Sequence, residues 1–109
     1  MLFRSYLLVT VNPKVTVNPV QNQVVCVGTL TNAITFSSST TTGTIVYDWS
    51  NSNTGIGLAA SGQGNIPSFT ATNTNPNASI SGTITVIPKY TYQGMTCNGI
   101  NMSIQHPVI

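Results

Sequence analysis

From Ser79 to Tyr92 the chain alternates by twos: Ile80, Gly82, Ile84 and Val86 fall on one face, and Ser81, Thr83 and Thr85 on the other. That period belongs to a strand with one face buried and one wetted. No window of the chain carries a convincing 3.6-residue period with helix caps, so helical folds drop out. Pro88 interrupts the run, which predicts an edge or a bulge at its far end. Shorter candidates are Gln23 to Val27 with Cys26, Asn32 to Ser38, Thr44 to Trp49 and Asn101 to Ile104. Between them Ile56 to Thr74 reads as a loop shaped by Gly57, Gly62 and Gly64. This loop feeds an outer strand in which Phe69 and Ala71 alternate with Ser68, Thr70 and Thr72. About seven short strands separated by turns predict an all-β fold, an antiparallel β-sandwich.

Length allows one domain with one core. Solubility has to come from Thr, Ser, Asn and Gln, because only 4% of the residues are charged, against roughly 25% in an ordinary soluble domain. Arg4, Lys14 and Lys89 face a single acid, Asp48. Three scattered cations cannot track a phosphate backbone, so no nucleic-acid partner is expected. The wealth of Val, Ile and Thr argues against disorder. Tyr6 to Val11 falls far short of the ~18 apolar residues that a membrane span needs, so no membrane insertion is expected. The same stretch is rejected as a signal peptide, since Thr10 and Asn12-Pro13 break it and no small-residue cleavage site follows. The run VTVNP occurs twice, at Val9 to Pro13 and Val15 to Pro19. One explanation makes residues 1–13 the end of a preceding repeat, or a non-native leader (the opening MLFRS resembles an adapter frame) plus linker, with the domain spanning 14–109. The other is a single bent first strand.

Chemistry is sparse. Glycosidases need paired carboxylates and calcium sites need several oxygen donors, whereas Asp48 stands alone. His106 has neither a nucleophile nor an orienting carboxylate beside it, and reads as a solvated histidine of the tail. Two cysteines without further ligands make no metal site. LAASGQGN lacks the Lys-Ser/Thr ending of a phosphate loop. No enzymatic activity and no cofactor are expected. Asn77-Ala78-Ser79 and Asn101-Met102-Ser103 match the glycosylation acceptor pattern, as chance allows in so Asn- and Ser-rich a chain. Tyr47 and Trp49 share the face of Ile45 and read as core. Tyr90 and Tyr92, beyond Pro88 and near a turn, are the aromatics best placed for exposure and hence for stacking on a ligand.

The order VTVNPV-x-NQ-x-VC, YDWSN, IGLAASGQG-x-IPSFTATNT and ISGTITVIPKYTYQGMTCNG resembles the PKD-like repeat modules of large secreted and cell-surface proteins of Bacteroidetes. The likeness covers Val15 to Gly99, and the glycine-flanked middle is its most specific part. It implies an immunoglobulin-like sandwich strung in tandem arrays that often end in a gliding-motility or secretion-sorting domain. It also implies an extracellular setting and adhesion-related service, with neighbouring repeats as partners and surface glycans or proteins as further ones. Secretion favours a Cys26–Cys97 disulfide, against the alternative of two separate thiols. The chain departs from the family at its end, where NMSIQHPVI replaces an alternating last strand and disturbs the phase at Gln105-His106. The aspartates of calcium-binding relatives are also missing.

Overall fold

A computed structural model describes residues 15–40, 42–75 and 77–109. Segment 1–13, with the first VTVNP copy, lies outside them. The fold is all-β: five strands form one antiparallel sheet. These are β1 (Thr44–Asn51), β2 (Ser61–Gln63), β3 (Ile80–Tyr92), β4 (Met95–Asn98) and β5 (Met102–Val108). The 13-residue β3 is the spine. It pairs with β1 on one flank, and on the other with β4 and then β5, while β2 lies outside β1.

The inward face of β3 is the one its alternation predicts. Gly82, Ile84, Val86 and Pro88 are buried there. Ile84 and Val86 meet Ile104 and Val108 of β5, together with Val17, Ile34, Phe36, Ile66 and Ala71 from extended segments laid across the sheet. Phe69 and Ala71 do face inward between exposed Ser68, Thr70 and Thr72. Those covering segments, however, do not form the regular strands expected of 32–38 and 68–72. Isolated bridges at Leu30–Thr70 and Ile34–Ile66 join them. Side chains stand in for ladder partners: Phe36 N–H donates to Asn65 Oδ1 at 3.0 Å and Phe69 N–H to Thr31 Oγ1 at 3.0 Å. Pro67 removes one further donor between them.

Pro88 sits inside the central strand, not at its edge. Gly64 N–H donates to the Tyr47 carbonyl, so Tyr47 turns its backbone away from β3. Pro88, its partner in register, therefore turns its own backbone away from β1. On that outer flank the partner changes from β4, last paired at Lys89–Asn98, to β5, first paired at Val86–Met102. The missing N–H falls in the gap, and Gly99 N–H donates to the Pro88 carbonyl at 2.7 Å.

The end of the chain corrects two expectations. The phase at Gln105-His106 is intact, because Ile104, His106 and Val108 are buried in alternation along β5. His106 is consequently no solvated residue of the tail: it is 0% exposed, and its ring lies 5.4 Å from that of Phe69. Opposite it stands Gly82, whose inward side is taken by Asn51 Oδ1 and Ile56. Neither ring nitrogen has a hydrogen-bond partner among the described residues. Burial holds its pKa below the ordinary histidine value, so the ring is neutral near pH 7.

The segment 15–27 runs alongside the outer edge of the β4–β5 line. Ile100 N–H donates to the Val15 carbonyl, Val25 N–H to Pro107 and Val27 N–H to Ile109. Val25 and Val108 form a parallel bridge. Val15 thus lies beside Ile100 and the chain reaches Ile109 nine positions further along, roughly 30 Å away at strand spacing.

Candidate functional site

Tyr90 and Tyr92 continue the even-numbered face of β3 past Pro88. The covering segments do not reach them: Tyr90 is half-buried and Tyr92 is 41% exposed. Their rings lie 6.2 Å apart with planes 14° from parallel. Residues two apart on a strand share a face, and the pleat brings their rings into register. The turn at Gln93-Gly94 folds β4 back tightly, with φ of 51° and 81° at the two positions, which a two-residue hairpin requires. Register then sets Met95 opposite Tyr92, and Cys97 and Ile45 on either side of Tyr90. Met95 is 69% exposed and Cys97 is exposed.

The platform is braced from β1's approach. The hydroxyls of Thr42 and Tyr90 hydrogen-bond at 3.0 Å. Gly43 has a φ of 70°, and a Cβ there would fall 2.5 Å from the Thr91 carbonyl and 2.7 Å from the Tyr90 ring. Only glycine lets the chain pass so close. The braced, nearly parallel pair offers an apolar stacking surface with one phenol engaged.

Elsewhere the named candidates are scattered. Asp48 lies on the outer face of β1, 2.7 Å from Lys89 Nζ, and accepts a hydrogen bond from Gln63 Nε2 at 2.9 Å. Lys89, then Gln63, hold its carboxyl below the ordinary aspartate value. Trp49 is buried, with its indole against Gly62 of β2. Tyr47 is half-buried, 5.8 Å from the ring of Phe36. His106 is on the opposite face from Asp48. Among the described residues no three His, Cys, Asp or Glu side chains cluster as metal ligands, and no helix is long and apolar enough to cross a membrane. A shallow groove of about 350 Å³ between Thr16–Val20 and Ile100–Ser103 has no titratable lining.

The expected Cys26–Cys97 disulfide is not made; both thiols are free and exposed. Cys26 follows Val25, which bridges Val108 opposite Ile80, while Cys97 pairs with Tyr90, ten positions along β3. That separates them by roughly 34 Å at strand spacing, whereas a disulfide needs Cα atoms within about 7 Å. The sequence puts Cys26 in a first strand and Cys97 in the last hairpin turn, but does not say that these lie toward opposite ends of one long strand. It also missed Met95 and Ile45 as neighbours of the tyrosines, which only register supplies. No family model, curated protein or solved structure matches this chain.

Proposed function

We propose that this chain is a structural spacer: one PKD-like, immunoglobulin-like β-sandwich module of a secreted or cell-surface, adhesin-like bacterial protein, serving to set distance between neighbouring repeats. The observation that carries the reading is the course of the backbone. Val15 and Ile109 lie at different levels of one sheet, roughly 30 Å apart along the β4–β5 line. A backbone that covers such a span within one module gives each repeat length. The extended segments laid over the sheet supply what a second layer of the sandwich would have to bury. The near absence of charge fits such service, since the faces between the ends are wetted by hydroxyls and amides.

A second reading is favoured by one observation, the stacked and partly exposed pair Tyr90 and Tyr92. On this reading the module binds neutral glycan rings. A glycan-array screen of the full chain beside a Tyr90→Ala, Tyr92→Ala variant separates the two. The spacer reading expects no retained glycan. Saturable binding that disappears in the variant overturns it.

A further inference from the structure

Between the sheet and its covering segments lies a mostly apolar seam, and one titratable ring is fully buried in it. Ile84, Val86, Ile104 and Val108 line the sheet side, and Ile66 and Ala71 the covering side. His106 sits between Ile104 and Val108 on the same face. Buried polar groups ordinarily find a hydrogen-bond partner, yet neither of its ring nitrogens has one among the described residues. Its neighbours Phe69 of the cover and Gly82 of β3 bring no charge. Asn51, which faces Gly82, is already committed: its Oδ1 accepts from Asn53 N–H, and its amide donates to the Asn53 and Leu58 carbonyls. The ionisable groups among the described residues stand elsewhere. Asp48 and Lys89 pair with each other on the outer face. Tyr47, opposite Pro88, lies toward the hairpin with Tyr90 and Tyr92, and Cys26 and Cys97 are exposed. A charge on His106 would have no partner.

We propose that His106 is an acid-operated release: a proton on its ring lifts the strip 67–71, which carries Phe69, off the sheet while the β1–β3–β5 ladder stays closed. The inference stands apart from the spacer and glycan readings, neither of which uses this ring. An unpaired charge does not persist in a dry seam, so a protonated ring has to be reached by water. The Phe69 ring, 5.4 Å away and tilted by 43°, offers a cation less than the water it would give up. Water enters where the packing yields first. β5 is held on both flanks, by β3 from Met102 to Val108 and by the N–H groups of Gln23 and Val25. The strip 67–71 is held differently. Its backbone bonds among the described residues go to 28–31, not to β1, β3 or β5: Thr31 N–H donates to the Phe69 carbonyl, Gly28 N–H to Ala71, and Ala71 N–H to Thr29. Side-chain packing alone ties it to the sheet. A ribbon of two short segments does not keep its own bonds once it leaves the face it packs on. Near pH 7 burial keeps the ring neutral and the strip closed. Release belongs to the interval between the ordinary histidine value of 6.5 and the lower folded one.

The test is amide hydrogen exchange of the full chain, read residue by residue by NMR between pH 7.5 and pH 5 and corrected for the pH dependence of intrinsic exchange. His106→Leu is measured beside it. The sequence has a single histidine, so one ring signal in the same samples reports its protonation. The amides of Thr31 and Ala71 should lose protection as pH falls below 6.5, by up to about tenfold per pH unit for one proton taken up. That loss should track the ring signal. Ile34 and Ile66, at the other bridge of the cover, should keep their protection, as should Ile84 and Ile104, partners in the β3–β5 ladder. In His106→Leu the protection of Thr31 and Ala71 should not change with pH. The wild-type comparison of ring and amides stands even where that variant does not fold. Loss of protection at all these positions together overturns the proposal, because the proton would then unfold the module as a whole. So does protection at Thr31 and Ala71 that ignores the titration of the ring, or that falls equally in the variant.

Discussion

The two halves of β3 carry the same pattern and meet opposite fates. From Gly82 to Pro88 every second residue is buried, whereas Tyr90 and Tyr92 on that same face are half-buried and exposed. The strand does not change between them. What changes is the cover: Val17, Phe36, Ile66 and Ala71 pack over the first half, whereas at the second Thr42 hydrogen-bonds the Tyr90 hydroxyl and Tyr92 stays exposed. Alternation along a strand therefore decides which face a side chain takes, and the rest of the chain decides whether that face is dry.

The sharpest way to break this comparison is to truncate each half. Ile84→Ala removes a fully buried side chain and should cost about 2–5 kcal/mol by urea denaturation. Tyr92→Ala should cost well under that, about 0.5 kcal/mol, as exposed substitutions do. Equal losses would mean that the hairpin face is covered after all. Gly82→Val tests the covered half from the other direction. A Cβ there would lie 2.5 Å from Asn51 Oδ1 and 2.7 Å from Ile56 Cδ1, and should destabilise by about 1–3 kcal/mol. Asn51 cannot easily give way. Its amide donates to the Asn53 and Leu58 carbonyls, both at 3.0 Å, and holds the loop that carries Ile56.

A smaller effect comes from His106, a fully buried titratable ring of the dry half. The sign follows from burial. Its folded pKa is lowered from 6.5, so below that value the unfolded chain takes up the proton first. Stability should be full above about pH 6.5 and decline as pH falls from there toward the lower folded value. His106→Leu should abolish that portion of the slope and raise stability at pH 7 by about 1 kcal/mol, since it removes two buried nitrogens without partners. Urea midpoints at pH 7.5 and 5.5 for both proteins decide it. An unchanged slope in the variant would place the titration elsewhere.

The fold was legible where one period dominates. The all-β class, the inward face of β3 and the burial of Trp49 all follow from spacing along single strands. Pro88 reads as an edge or a bulge in the sequence because a lone strand does not show that its outer partner changes there from β4 to β5. The segments 32–38 and 68–72 were read as strands because alternation reports a buried face, not a hydrogen-bond ladder; Thr31 and Asn65 supply side-chain partners instead. His106 was placed in the tail because its neighbours in sequence are polar or proline. Its environment comes from Phe69 and Gly82, which are distant in sequence. The aromatic pair at Tyr90 and Tyr92 was legible; the platform's Met95 and Ile45 depend on register and were not.

The smallest expected effect is the cleanest test of the two ends. If Cys26 and Cys97 lie roughly 34 Å apart, no bridge can form within one chain, and reductant should leave the urea midpoint unchanged. Both thiols should react with a bulky disulfide reagent in the native state, since both are exposed. Cys26→Ser and Cys97→Ser should each remove one equivalent and leave stability within about 0.5 kcal/mol of the parent. A bridge closing so long a loop would instead contribute roughly 4 kcal/mol. Finding no reactive thiol, and a loss of that size on reduction, would bring the two ends of β3 together. It would then break the register of β3.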